Sequence, residues 1–309
     1  MSDLQEGRSG RPNRSDESTT QSPDEETQLP SRRRKVAGRL IRNRLALLGS
    51  GIVLALVLTA LFAPYIAPYD PVEQDYAALE QPPSLEHPFG TDTLGRDVFS
   101  RVVFGAKYAV FLGLVIVGFE MLLGVTLGLV AGYYGGMVES VIMRVVDVAL
   151  SIPGVVLALA IAGMLGGGLI PLVIAISLVG WRGFTRLVRG DVKGVMEEEY
   201  IDAAKGAGVS DARLIVQHIL PNVASSIIVY ATLTIPTVIL WAAGLSFLGM
   251  GVSPPTPEWG ALIANGRGEI DDAWWISTFP GLAIMVTVIG FNVLGDGLRD
   301  ALDPRQSEL

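Results

Sequence analysis

Apolar runs long enough to cross a lipid bilayer alternate with polar segments along this chain. A transmembrane helix needs about 20 mostly apolar residues. The runs cover residues 45–66, 106–131, 141–165, 169–188, 223–248 and 274–294. Their length favours helices, since buried strands are much shorter. The pattern therefore predicts an all-α, polytopic membrane protein with six transmembrane helices.

A polar segment with its own helical periodicity separates the fourth run from the fifth, at residues 197–222. Apolar and small residues recur there at helical spacing: Tyr200, Ala203, Ala204 and Ala207. Gly206 and Gly208 interrupt that helix, and Ser210 is placed to cap the next one. We expect Pro221 to stop or kink the second helix. Two short helices joined by a break indicate a docking surface, which we call the coupling segment (residues 197–222).

Composition supports a membrane protein and narrows the chemistry. The chain is 50% hydrophobic and 17% charged, with a mean hydropathy of +0.45, whereas soluble domains contain about 25% charged residues. There is no cysteine, which excludes disulfides and thiolate metal sites. His87 and His218 are the only histidines. We therefore expect neither a metal site nor a cofactor.

Charge bias orients the predicted helices. Residues 1–31 are polar and acidic, which predicts a disordered cytoplasmic tail, and residues 32–44 form a basic juxtamembrane segment. Basic residues beside the first span keep that side in the cytoplasm; a nucleic-acid patch is the weaker alternative. Six crossings then return the C-terminal tail (residues 305–309) to the cytoplasm. The same bias makes the fourth connection (residues 189–222) cytoplasmic.

Two long connections are expected on the outer side, at residues 64–105 and 249–273. The end of the first one carries apolar side chains that suit an interfacial helix: Val98, Phe99, Val102 and Val103. Prolines and acidic residues in the second connection favour a structured loop over another span.

Catalytic chemistry is not supported. Neither the phosphate-binding loop Gly-x-x-x-x-Gly-Lys-Ser/Thr nor the nucleophile elbow Gly-x-Ser-x-Gly occurs in the sequence. Inside the predicted spans, Glu120 is either a proton site or, as we favour, a carboxylate hydrogen-bonded between packed helices. Arg144 and Asp147 are expected to form an i, i+3 salt bridge. The Gly124-x-x-x-Gly128 pattern is typical of close helix packing.

The coupling segment resembles the EAA loop of the inner-membrane permeases of binding-protein-dependent ABC importers. The similarity lies in Asp202-Ala203-Ala204, then Gly208, then Leu220-Pro221; Asp202 stands where that family commonly has Glu, and His218 where it has Ile. Three other stretches resemble the second permease type of the dipeptide/oligopeptide/nickel branch: HPFGTDTLGRDVFSRVVFGAK, GLSFLGMGVSPPTPEWGALIANGR and WWISTFPGLAIMVTVIGFNVLGDGLRDALDP. The resemblance covers roughly residues 32–304.

The resemblance implies a translocation subunit in the plasma (inner) membrane, with its permease domain at residues 45–304. The implied partners are a second permease subunit in a heterodimer, two ATP-binding cassette ATPase subunits, an extracellular solute-binding protein and the lipid bilayer, with no nucleic acid. It implies that ATPase contacts lie at Tyr200, Asp202, Ala203, Ala204, Gly208, Leu220 and Pro221. Candidate binding-protein contacts in the outer connections are Gly90, Asp92, Gly95, Arg96, Asp97, Pro255 and Trp259.

The function expected from sequence is ATP-driven import, with ATP hydrolysed by partner subunits and not by this chain. Dipeptides and oligopeptides lead as substrates, and nickel complexes or other small solutes remain open. The alternative from a different class is a secondary carrier or channel that works alone, although such a carrier would usually need more buried polar groups. A membrane-embedded enzyme lacks a supporting constellation.

Overall fold

A computed structural model describes residues 43–302 of the chain, and no strand forms within that range. The predicted disordered tail (1–31), nearly all of the basic segment (32–44) and the C-terminal tail (305–309) lie outside the described residues. The helices are α1 Arg44–Ile66, α2 Val98–Tyr134, α3 Gly136–Ser151, α4 Gly154–Met164, α5 Leu169–Met196, α6 Glu199–Gly206, α7 Asp211–Phe247, α8 Trp259–Gly266 and α9 Trp275–Leu302. The all-α prediction is therefore confirmed.

Five helices within residues 43–302 are long and apolar enough to cross a membrane: α1, α2, α5, α7 and α9. The sixth candidate is the pair of α3 and α4, which meet at an angle of 87°. The predicted span over residues 141–165 is therefore broken into two helices. Pro153 lies at the break, and its missing N–H and fixed ring oppose a continuous helix.

The predicted interfacial helix does not exist as a separate element. Val98 is instead the first residue of α2, which continues for 37 residues. The Asp97 carboxylate caps the helix by accepting a hydrogen bond from the Ser100 N–H at 2.7 Å. No proline separates residue 98 from residue 134, so the helix propagates without a break. At 1.5 Å per residue, α2 is about 55 Å long.

Glycines let the two central helices approach closely. Gly124, Gly128 and Gly132 lie on one face of α2, against α5. A Cβ atom on Gly128 would lie 2.9 Å from the Thr185 carbonyl oxygen, and one on Gly132 would lie 3.1 Å from the Arg189 carbonyl oxygen. Small residues at a spacing of four permit such backbone contact. The close packing indicated by the glycine pattern is present.

The two ends of α2 define the two ends of the molecule. At its N-terminal end, residues 67–97 and 248–274 fold together into a structure that we call the cap. Trp275 donates an indole hydrogen bond to the Thr91 carbonyl oxygen at 3.0 Å, which joins α9 to the first of these segments. At the C-terminal end, the Tyr133 hydroxyl donates to the Asp211 carboxylate at 2.7 Å, which joins α2 to the coupling segment.

Candidate functional site

The short helix α6 of the coupling segment is anchored to the helical bundle by a buried apolar side chain. Ile201 in α6 is fully buried. It packs in a cluster with Val188 and Val192 of α5 and with Leu214 and Ile219 of α7. A short helix has little stability of its own, so this packing fixes its position. The helix α6 is therefore held in a fixed position against α5 and α7.

The opposite face of α6 is open. Tyr200, Asp202 and Ala203 are exposed, and Ala204 is half-buried beneath them. Asp202 forms an ion pair with Lys205 at 3.7 Å, and such an exposed pair contributes little stability. The small side chain of Ala203 leaves the helix backbone accessible to another protein. This face of α6 is therefore exposed in the described part of the chain.

A Schellman motif ends α6. The Gly208 N–H donates to the Lys205 carbonyl oxygen at 2.9 Å, and the Val209 N–H donates to the Ala204 carbonyl oxygen at 3.2 Å. Gly208 adopts a φ of 77°, which side chains strongly disfavour. A Cβ at this position would meet open space. The glycine is thus required by the turn and not by crowding within this chain.

The second half of the segment differs from the sequence prediction. Ser210 stands at the N-cap position of the next helix, but its side chain makes no capping hydrogen bond. Pro221 does not stop that helix, which continues to Phe247. Immediately before the proline, residues Leu214–Ile219 form a π-helical turn. This wider turn accommodates a proline that can donate no backbone hydrogen bond.

A polar contact closes the segment and was missed by the sequence reasoning. The Asn222 amide donates to the Tyr200 hydroxyl at 3.0 Å and to the His218 carbonyl oxygen at 2.5 Å. It thereby links the start of α6 to the start of the long part of α7. Tyr200 takes part in this link, and Pro221 directly precedes Asn222 in the chain. Candidate contacts from both ends of the segment therefore lie at the link. Periodicity could not indicate it, because the contact joins residues 22 positions apart.

Most of the residues predicted to contact a binding protein are buried within the cap. Six of the seven candidate binding-protein contacts are buried in this chain: Gly90, Asp92, Gly95, Arg96, Asp97 and Trp259. Arg96 donates to the Asp92 carboxylate at 2.7 Å, and Trp259 donates to the Val102 carbonyl oxygen at 2.9 Å. Of the seven, only Pro255 is exposed. Their side chains shape the cap and leave its outer surface to other residues.

Three further buried polar groups stabilise the cap: His87, Arg101 and Glu258. His87 contacts the Asp97 carboxylate at 3.0 Å, and Arg101, 1% exposed, donates to the Pro71 carbonyl oxygen at 2.6 Å. Sequence spacing gave no signal for Arg101 because Pro71 is 30 residues away. Glu258 caps α8 by accepting from the N–H groups of Gly260 and Ala261. Burial raises the pKa of the Glu258 carboxyl above its ordinary value, and these hydrogen bonds oppose the shift.

The charged groups inside the predicted spans also have assigned places. Glu120 is buried beside Gly180, whose missing side chain leaves room for the carboxylate. The predicted Arg144–Asp147 pair is wrong, because Asp147 instead contacts Arg186 of α5 at 2.5 Å. Glu139 of α3 likewise pairs with Arg189 and Lys193 of α5. Interhelical pairs therefore tie α3 to α5.

Comparison with known proteins identifies two matching family models. The model described as "Binding-protein-dependent transport system inner membrane component" matches residues 124–308. The model described as "N-terminal TM domain of oligopeptide transport permease C" matches residues 31–83.

Curated relatives match along most of their length. The dipeptide transport system permease protein DppC of Alkalihalophilus pseudofirmus is 44% identical over 283 residues, which are 92% of this chain and 93% of the relative. The glutathione transport system permease protein GsiD of Escherichia coli O157:H7 is 45% identical, covering 86% of this chain and 88% of the relative. GsiD of Pectobacterium atrosepticum is 42% identical, with coverage of 86% and 89%.

Proposed function

This chain belongs to the family of binding-protein-dependent transport system inner membrane components, and we propose that it is the permease subunit through which an ABC importer takes up dipeptides or oligopeptides. It is a multi-pass inner-membrane protein, and importers of this kind work with ATPase subunits and a solute-binding protein. The substrate proposal rests on the relatives, which are named as dipeptide and glutathione permeases. Glutathione is itself a small peptide, so both names point to the same substrate class.

The proposed coupling element is the face of α6 formed by Tyr200, Asp202 and Ala203. The observation that carries this proposal is the combination of an exposed, small-residue face with a buried anchor, Ile201, on the same short helix. A partner that moves this face must also move α5 and α7, because Ile201 packs against both. The remaining proposed contacts, Ala204, Gly208, Leu220 and Pro221, shape or border that face. Closure of the ATPase subunits would then shift the spans as rigid bodies between two states of access.

The proposed arrangement places the coupling segment and both chain termini in the cytoplasm. Positive charge near the coupling segment supports this orientation, through Arg186, Arg189, Lys193 and Arg213. The permease domain spans residues 45–304 and pairs with a second permease subunit as a heterodimer. The cap then faces the solute-binding protein, and we propose that its exposed residues, among them Pro255, make the contact.

The coupling proposal is tested by filling the exposed face of α6. Ala203→Trp adds a large side chain to an exposed position without touching the buried anchor. We expect normal membrane insertion, reduced co-purification of the ATPase subunits and roughly 5- to 150-fold slower peptide uptake, since overpacking a close-packed contact costs about 1–3 kcal/mol.

Ala77→Trp is the matched control, because Ala77 is an exposed alanine in the cap, at the other end of α2. It should leave ATPase co-purification unchanged. Normal co-purification and normal uptake in Ala203→Trp would remove α6 as the docking element.

A further inference from the structure

A polar cavity of about 400 Å³ opens between α5, α7 and α9, close to the coupling segment. Its polar lining consists of Ser225, Ser226, Tyr230 and Arg299. The rest of the lining is aliphatic: Leu187, Val229, Leu233 and Leu302. Ser225, Ser226 and Tyr230 are half-buried and Arg299 is exposed. These polar groups are therefore open to a ligand that approaches from outside the bundle.

The serines of this cavity behave differently from other hydroxyl groups on the same helix. Thr232 donates to the Ile228 carbonyl oxygen at 2.9 Å, and Thr234 donates to the Tyr230 carbonyl oxygen at 2.7 Å. Such bonds to the preceding turn are the usual arrangement for Ser and Thr in membrane helices. Within residues 43–302, the hydroxyls of Ser225 and Ser226 have no hydrogen-bond partner. Both are left available to the cavity.

Tyr230 is held in position with its hydroxyl also unpaired among the described residues. Its ring meets the Phe184 ring edge-on, with centroids 4.7 Å apart and an interplanar angle of 88°. Gly183 provides the space for the hydroxyl, because a Cβ atom there would collide with it. The glycine and the aromatic contact together preorganise this donor.

The charge in the cavity is positive. Arg299 makes no ion pair with a carboxylate in the described part of the chain, although Asp296 and Asp300 lie on the same helix. The start of α1 reaches the same end of α9, since a Cβ atom on Gly297 would contact Ala46. Arg44, the first residue of α1, brings a second positive charge to this end, where Asp296 and Asp300 carry negative charges.

We propose that this cavity binds the phosphate group of an anionic phospholipid headgroup. Three hydroxyls and one guanidinium offer hydrogen-bond donors and positive charge, which suit phosphate oxygens. Arg299 lies near the C-terminal end of α9, beyond the predicted span 274–294, and basic groups near the ends of transmembrane helices bind such lipids. The aliphatic walls of the cavity suit the adjoining glycerol and acyl carbons. The inference requires only that the protein sits in a bilayer, so it is independent of the coupling proposal.

The test uses the whole transporter, purified from vesicles of phosphatidylcholine that contain phosphatidylglycerol, and native mass spectrometry to count retained lipids. The wild-type protein should retain phosphatidylglycerol in preference to phosphatidylcholine. Arg299→Gln should weaken that retention about fivefold, since one basic residue near an anionic surface contributes about 1 kcal/mol. The double variant Ser225→Ala with Ser226→Ala should also weaken it.

Two matched controls should retain the lipid normally. Thr232→Val removes a hydroxyl that is already bonded to its own helix, and Arg144→Gln removes an exposed charge on α3. Equal retention in all variants would overturn the proposal. A bound anion that inorganic phosphate alone displaces, without lipid preference, would identify a free-ion site instead. Displacement of the lipid by an added dipeptide would assign the cavity to the transport pathway, and would also overturn the proposal.

Discussion

Backbone conformation determines the different roles of two glycines at the end of α6. Gly206 and Gly208 look equivalent in the sequence, and both were expected to break α6. Only Gly208 has the positive φ of the Schellman turn, whereas Gly206 is the last residue of the helix itself. The sequence therefore predicted the break but not which glycine the backbone requires. That distinction depends on hydrogen bonds to Lys205 and Ala204 that periodicity does not report.

Glu258 gives a pH-dependent stability that can be measured. Burial raises its pKa in the folded protein, so the folded state binds this proton more tightly than the unfolded state does. Stability is then greatest at low pH and falls as pH rises from the ordinary glutamate value through the raised one. In thermal unfolding of the detergent-purified protein, Glu258→Gln should remove this contribution to the pH dependence.

Glu73→Gln is the control for that measurement, because Glu73 is an exposed acid in the cap. It should leave the pH profile of the melting temperature unchanged. If the Glu258→Gln and wild-type profiles run parallel over the whole pH range, the carboxyl titrates as it would in water.

At the scale of elements, hydropathy located the helices but not their shapes. It placed the second span at residues 106–131, whereas α2 covers Val98–Tyr134, because the capping Asp97 and the Gly135 backbone set the ends. It also gave one continuous apolar run for the third span, where Pro153 separates two helices at 87°. Ends and bends depend on hydrogen bonds and steric clashes of single residues. Average apolarity over a window contains no information about either.

Packing between α2 and α5 depends on glycine at fixed positions. Gly128→Leu would place a side chain against Val188 and the Thr185 carbonyl oxygen. We expect a loss of about 1–3 kcal/mol, the usual cost of overpacking, seen as a lower melting temperature.

The matched control lies on the same helix. Gly118→Leu adds the same side chain where a Cβ meets nothing within 4 Å, and it should change stability by less than about 0.5 kcal/mol. Similar melting temperatures for the two variants would show that the α2–α5 contact is not tight.

For the molecule as a whole, two specialised ends are joined by one continuous helix. The coupling segment contacts the C-terminal end of α2 through Tyr133, and the cap surrounds its N-terminal end at Asp97. The sequence was enough to predict the family and the placement of the coupling segment between two spans. It did not give the burial of the cap residues, which are packed by contacts such as Trp275 with Thr91. Those contacts join residues 184 positions apart.

The permease and the stand-alone carrier make opposite predictions for the purified chain. Reconstituted alone in vesicles, it should show no peptide uptake driven by an ion gradient. Uptake should appear only with the second permease, the ATPase subunits, the binding protein and ATP. Gradient-driven uptake by this chain alone would favour the carrier.

In the cap, the residues that stabilise the fold are different from the residues that are exposed on its surface. Asp92, Arg96 and Asp97 are buried and hydrogen-bonded within the cap, so substitutions of these residues are expected to lower the stability of the fold. Cap residues such as Leu85, Tyr76 and Pro255 are exposed instead, so substitutions there are expected to change the stability of the fold little. If the cap contacts the solute-binding protein as proposed, recognition of a different binding protein can be acquired by exchanging exposed side chains while the scaffold stays unchanged. Replacing the exposed cap residues of one transporter with those of another is expected to change which binding protein the transporter accepts, while the fold of the subunit stays the same.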